Sequence, residues 1–209
     1  MQKAFLSSYR FAAGAARLAL AAGTLALLHG CGEPTPPRDE EGNLALLDGT
    51  SLDFWTVVGD ANWRLEDGSA MADQSTANSW LVSTGRYANF ELNLEFWVNT
   101  EANSGVFLRC QSAEAIDESS CYEVNIYDTR PDQTYRTGGI VNLAEPAEFV
   151  YTGGQWNRFA IKAEGAHLEV TLNGKKMIDI EDSKLAEGHI ALQYGTGTVR
   201  FRNVRLKPL

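Results

Sequence analysis

The chain has 209 residues, a formal net charge of −9, 44% hydrophobic side chains, and only three histidines and three cysteines. The acidic surplus argues against nucleic acid as a partner. So few histidines, with no zinc-ligand spacing, phosphate-cradling glycine loop or dinucleotide fingerprint, set aside protease, kinase and redox-cofactor readings.

Residues 1–30 carry Lys3, Arg10 and Arg17 without one acidic residue, then an apolar run over 18–28, then Leu28-His29-Gly30-Cys31. This pattern is a lipoprotein signal peptide, with the lipid expected on Cys31. The apolar run is too short to span a hydrocarbon core of ~30 Å, so it is a removable segment and not an anchor. By resemblance to other bacterial lipoproteins, Gly32 in place of aspartate after the cysteine points to the outer membrane of the cell envelope. Removing the signal peptide deletes three positive charges and takes the formal net charge from −9 to −12. Residues 31–42 carry three prolines and several charges, with no apolar side chain able to seed a core, and are expected to be a flexible tether.

From residue 43 to 209 the chain suits one domain. Its polarity alternates in twos: Phe90, Leu92, Leu94, Phe96 and Val98 against Glu91, Asn93, Glu95, Trp97 and Asn99; Tyr122, Val124 and Ile126 against Glu123, Asn125 and Tyr127; Leu168, Val170 and Leu172 against Glu169, Thr171 and Asn173. These are half-buried strands. Asn173-Gly174 predicts a two-residue hairpin, because both turn positions favour positive φ. No stretch of the mature chain keeps a helical period. The expected class is all-β, an antiparallel sandwich or barrel.

Cys110 and Cys121 are expected to form a disulfide in an oxidising compartment, worth about 3 kcal/mol by loop entropy. Alternation opposes the pairing: Arg109 and Glu123 fall on the outward parity, as does Cys121, whereas Cys110 falls on the inward one. A bulge or loop must absorb the mismatch.

The chemistry that remains is a polar and aromatic face. Arg109, Glu123, Asn125 and Trp97 hold outward-parity positions, with Gln193 on a further strand and Asp128 at a strand end. A pyranose suits such a surface, since it offers hydroxyls to charged and amide groups and a C–H face to an aromatic ring. The plain alternative is an exposed Arg109–Glu123 ion pair worth only ~0–1 kcal/mol. His167 and His189 lie beside a turn and at a strand start, and read as edge residues.

Eight runs in order, YANFELNLEF (87–96), NSGVFLR (103–109), YEVNIYD (122–128), TGGI (137–140), GQWNRFAI (154–161), VTLNG (170–174), GHIALQ (188–193) and FRNVRLKP (201–208), resemble the 3-keto-disaccharide hydrolase domain family. The resemblance covers essentially the whole mature domain. It implies a concanavalin A-like jelly-roll β-sandwich of two antiparallel sheets with a sugar site on its concave sheet. It also implies a reaction in which a C3 ketone acidifies the C2 hydrogen, a base removes it, the C1 substituent leaves by β-elimination, and water adds back. Laid onto this sequence, the resemblance makes Glu123 the acid/base, Arg109 the enolate stabiliser, Asp128 an orienting group, Asn125 and Gln193 the hydroxyl binders and Trp97 the stacking ring. Asp128 would alternatively help to hold a divalent metal ion, for which no ligand set is legible. Asn125 stands where many relatives carry glutamine. Tyr194-Gly195 follow Gln193 where one subgroup carries an acidic residue and histidine. Three readings stay open: an envelope-anchored enzyme acting on 3-keto-glycosides, a non-catalytic glycan-binding sandwich, and a structural lipoprotein.

Overall fold

The two-residue period over 90–98 becomes a nine-residue strand in which every other side chain is buried. The computed structural model describes residues 35–209; the expected signal peptide, Cys31 and the first part of the expected tether lie outside the described residues. In chain order the strands are β1 (Leu44–Leu47), β2 (Trp55–Val58), β3 (Arg64–Glu66), β4 (Ser69–Ala72), β5 (Ser79–Ser83), β6 (Phe90–Val98), β7 (Ser104–Cys110), β8 (Tyr122–Ile126), β9 (Trp156–Glu164), β10 (His167–Leu172), β11 (Lys175–Glu181), β12 (His189–Tyr194) and β13 (Val199–Pro208). One 3₁₀ turn, Gln133–Tyr135, is the single helical element among the described residues.

The strands form two antiparallel sheets. The larger runs β11-β10-β9-β6-β13-β4-β3, with β1 also pairing β13; the smaller runs β2-β5-β12-β7-β8. Of the sandwich and barrel that the alternation left open this is the sandwich, in the jelly-roll form that the family resemblance implies. Leu92, Leu94, Phe96, Phe159 and Ile161 from the larger sheet and Leu81, Val106, Leu108, Val124 and Leu192 from the smaller belong to one buried cluster. Each fully buried side chain of this kind contributes about 1.5–3 kcal/mol. The hairpin at Asn173-Gly174 forms with φ of +50° and +81°, linking β10 to β11.

Two departures from the sequence reading matter. The polar stretch expected to be free tether joins the domain before residue 43: Pro37 O accepts from Ala45 N at 2.8 Å, and Asp39 Oδ1 accepts from Asn43 N at 2.8 Å. Backbone pairing there offsets the lack of apolar side chains. The sheets also differ in their outer faces. β6 and β10 alternate buried with half-buried residues, but β7 and β8 are buried throughout. Loops between β7 and β8 and between β8 and β9 bring residues such as Ile116, Arg130 and Val141 onto the outer face of the smaller sheet.

Candidate active site

One bulge decides how that face is built. Register pairs Ala191 with Phe107 and His189 with Cys110, so β7 spends three steps where β12 spends two. The extra residue is accommodated at Arg109, whose φ is +53°. Cys110 thereby joins Phe107 in the cluster on the outer face, where it meets Cys121, and the disulfide forms between Cα atoms 4.3 Å apart. The parity conflict in the sequence is resolved by this insertion. Gly188 permits it: a Cβ there would sit 2.3 Å from the Arg109 carbonyl carbon.

The disulfide closes the 111–120 loop over the sheet. Ile116 from this loop packs with Val82, Phe107, Cys110, Cys121 and Ala191 and covers one end of the face. The other end stays open as a cleft of about 500 Å³, within the size range of small-molecule sites. Its floor is a cross-strand row. Trp80 of β5 opposes Gln193 of β12, Gly105 of β7 opposes Asn125 of β8, and the pairing of Leu192 with Val106 brings Gln193 beside Gly105. One pleat away runs a second row, Val82, Ala191, Phe107 and Glu123.

Three polar atoms on this floor are buried without a protein partner: Trp80 Nε1, Gln193 Oε1 and Asn125 Oδ1. The Asn125 amide is oriented by its own Nδ2, which donates to Tyr135 O. Buried polar atoms are normally paired, so three orphans in one cleft mark places for ligand hydroxyls or water.

Glu123 is 9% exposed, and no described residue donates a hydrogen bond to its carboxylate. Burial, reinforced by the Glu118 carboxylate and opposed by Arg130, pushes its pKa up to about 7. Gly105 makes its space: a Cβ there would lie 3.1 Å from Glu123 Oε1 and 3.2 Å from its Cγ. A carboxyl that titrates near neutrality at the floor of a cleft is suited to take and return protons.

Residues 42–207 match the family model described as the 3-keto-α-glucoside-1,2-lyase-like domain. The chain belongs to this family. Two crystal structures from Parabacteroides distasonis, each described as a "putative glycosyl hydrolase", share its fold. One aligns with TM-score 0.72 at 19% identity over 84% of this chain and 100% of its own; the other with TM-score 0.65 at 26% identity over 78% and 98%. The carbohydrate-binding module CBM66 from Bacillus subtilis aligns with TM-score 0.55 at 18% identity over 72% of this chain and 93% of its own. A search of curated proteins returns no significant match. The 3-keto-α-glucoside-1,2-lyase-like family is carbohydrate-acting, and its fold here is the concanavalin A-like jelly roll.

Of the six residues that sequence reasoning put at the site of this lyase-like domain, the cleft gathers three: Glu123, Asn125 and Gln193. The other three stand elsewhere, each for a physical reason. The bulge turns Arg109 inward. It is fully buried, and it donates to Ala88 O at 2.7 and 2.9 Å and to Gly165 O and Leu185 O at 2.8 Å. Burial lowers its pKa from the ordinary arginine value. It ties three loops together at one end of the sandwich. Asp128 is also spent on structure. Its carboxylate accepts from Thr137 Oγ1 at 2.6 Å, Thr152 N at 2.6 Å, Thr152 Oγ1 at 3.0 Å and Gly153 N at 3.1 Å, which ties both ends of the 137–152 segment to the end of β8. Trp97 does face outward, but from the larger sheet, beside Trp156 and Arg200. That is the opposite side of the sandwich.

In their places the cleft holds Trp80 as its aromatic side chain on β5 and Arg130 as the one cation among its lining residues. Arg130 was legible only as part of YDTRPD, the continuation of the YEVNIYD run; Trp80 had only its parity within SWLVS. Among the described residues, one group of three metal-type ligands comes together, His167, Glu169 and Asp179, on the larger sheet. Lys176 Nζ already bridges Glu169 at 3.0 Å and Asp179 at 2.7 Å there, so a cation is in place without a metal.

Proposed function

We propose that this protein cleaves 3-keto-glycosides in the cleft on the smaller sheet, with Glu123 as the base. The observation that carries the reading is Glu123 itself, a buried carboxyl without a hydrogen-bond donor whose pKa is pushed up to about 7, beside three unpartnered polar atoms. In this scheme Glu123 takes the C2 proton, and the electron pair passes to the C3 oxygen as an enolate. Arg130 is the cation within the cleft to hold that charge, in the place first given to Arg109. When the C3 ketone re-forms, C1–C2 becomes a double bond and the C1–O bond breaks. The departing oxygen receives the proton from Glu123. Water then adds at C1 with a proton returning to C2, which balances as hydrolysis. Trp80 gives a C–H stacking surface, and Gln193 and Asn125 take hydroxyls.

The test is a panel of 3-keto-glycosides beside their unoxidised parents, run with and without chelator. Turnover of the ketones alone, with deuterium entering C2 from heavy water, is expected. Cleavage of unoxidised parents at equal rate would refute the elimination route. A second reading, glycan binding without chemistry, draws on the same three orphan atoms and on the Tyr194-Gly195 departure from the family pattern; it predicts binding of unoxidised sugars and no product.

The location belongs to the proposal as well. A lipid on Cys31 and the polar segment that follows would hold the sandwich at the cell envelope, where it meets incoming glycosides. Cys31→Ser is expected to move the protein from the membrane to the soluble fraction; an unchanged membrane fraction would remove the anchor from the reading.

A further inference from the structure

We infer that the cleft sorts sugars by charge, taking rings that are neutral or carry an ammonium group and refusing rings that carry a carboxylate or sulfate. This rests on the reading of the cleft as a sugar site and goes on to the substituents it accepts.

Two independent features agree. The first is the sign of the wall. Asp117 and Glu118 enter the cleft from the disulfide-closed loop and Asp132 from the facing loop, with Glu123 on the floor and Arg130 as the lone cation. None of the five is in an ion pair among the described residues. The two aspartates are held in the ionised form. Asp117 Oδ1 accepts from Ser119 Oγ at 2.6 Å and from Ser119 N and Ser120 N at 2.8 Å, and Asp132 Oδ1 accepts from Thr134 N at 3.0 Å. These bonds keep both carboxyls below the usual carboxylate range. A cleft lined by one sign of charge concentrates ligands of the other sign and repels its own.

The second feature is the hydrogen-bonding sense of the floor. Gln193 is 5% exposed and Asn125 1% exposed, and the buried unpartnered atom of each is an oxygen. Hydroxyl and ammonium hydrogens satisfy oxygens; a carboxylate or sulfate brings only further acceptors. Trp80 Nε1 is the one donor among these buried orphan atoms. An anionic substituent therefore meets like charge at the rim and two buried acceptors below, and Arg130 and Trp80 Nε1 are the groups that favour it. Both terms disfavour the anion, and exclusion of the wrong ligand is as much a part of specificity as attraction of the right one.

Methyl glucosides that differ only at C6, as hydroxymethyl, aminomethyl or carboxylate, test this by calorimetric binding to the wild-type protein, since without a C3 ketone they do not turn over. At neutral pH and low salt the amino and neutral sugars are expected to bind at least about tenfold more tightly than the uronide, with the gap narrowing as salt rises. The combined variant Asp117→Asn, Glu118→Gln, Asp132→Asn is expected to shrink the ratio between neutral sugar and uronide. A uronide that binds as tightly as the neutral sugar, or a gap indifferent both to salt and to the triple variant, overturns the inference while leaving the sugar site intact. Failure of all three sugars to bind overturns the sugar-site reading itself, and the inference with it.

Discussion

Replacing Glu123 with glutamine should stabilise the protein at alkaline pH while removing its activity. The carboxyl rises from an ordinary value of 4.5 to about 7 on folding. Below about pH 4.5 it is protonated in both folded and unfolded chains, and the folded state bears no charge penalty. Between about pH 4.5 and 7 the unfolded chain loses the proton first, so stability falls as pH rises; above about pH 7 the full cost is present. At 1.36 kcal/mol per pH unit that cost is about 3 kcal/mol. Glutamine keeps the shape and removes the charge. For a domain of this size each kcal/mol moves Tm by roughly 2–4 °C. Thermal melts should therefore show the variant roughly 6–12 °C above wild type at pH 8 and nearly level with it at pH 4. In parallel, wild-type kcat/KM on a 3-keto-glycoside should rise through about pH 7 as the base is freed, and the variant should show no turnover. An equal Tm difference at both pH values, or a variant less stable at pH 8, would refute the argument, because it would mean that the charge is compensated in the cleft.

Arg109→Met leaves the carbonyls of Ala88, Gly165 and Leu185 without their donor, and should cost about 3–5 kcal/mol by chemical denaturation; unchanged stability with activity lost would return Arg109 to the chemistry. Trp80→Ala should weaken sugar binding by about 1 kcal/mol or more, while Trp97→Ala, on the far side of the sandwich, should leave it alone; calorimetry on the two variants separates them, and the reverse ranking would move the site to the other face. Gly105→Ala crowds Glu123 Oε1 at 3.1 Å and Phe107 Cε2 at 3.2 Å, so kinetics should show a slower reaction in a protein whose melt is shifted only slightly, and full activity would mean that the carboxyl has room to move.

What was legible in the sequence depended on water. β6 and β10 read correctly because one side of each is wet, and the contrast of Leu92 with Glu91 or Val170 with Glu169 records that. The same alternation placed Glu123, Asn125 and Gln193 outward, where they line the cleft. β7 is buried on both faces, so polarity marked its bulge only through the Cys110–Cys121 parity conflict and did not place it, and Arg109 was read as a surface residue when it is fully enclosed. Arg130 lies in a loop, where no period applies.

The composition and alternation of this chain determine that it is all-β, an antiparallel sandwich or barrel, because burying one side of each strand is a local, two-residue property. Which outer face a residue joins, and what stands beside it there, is settled only when distant strands pair. Trp97 and Glu123 both point outward; β6 lies in one sheet and β8 in the other. Parity states that a side chain leaves the core, and only the tertiary structure states on which side.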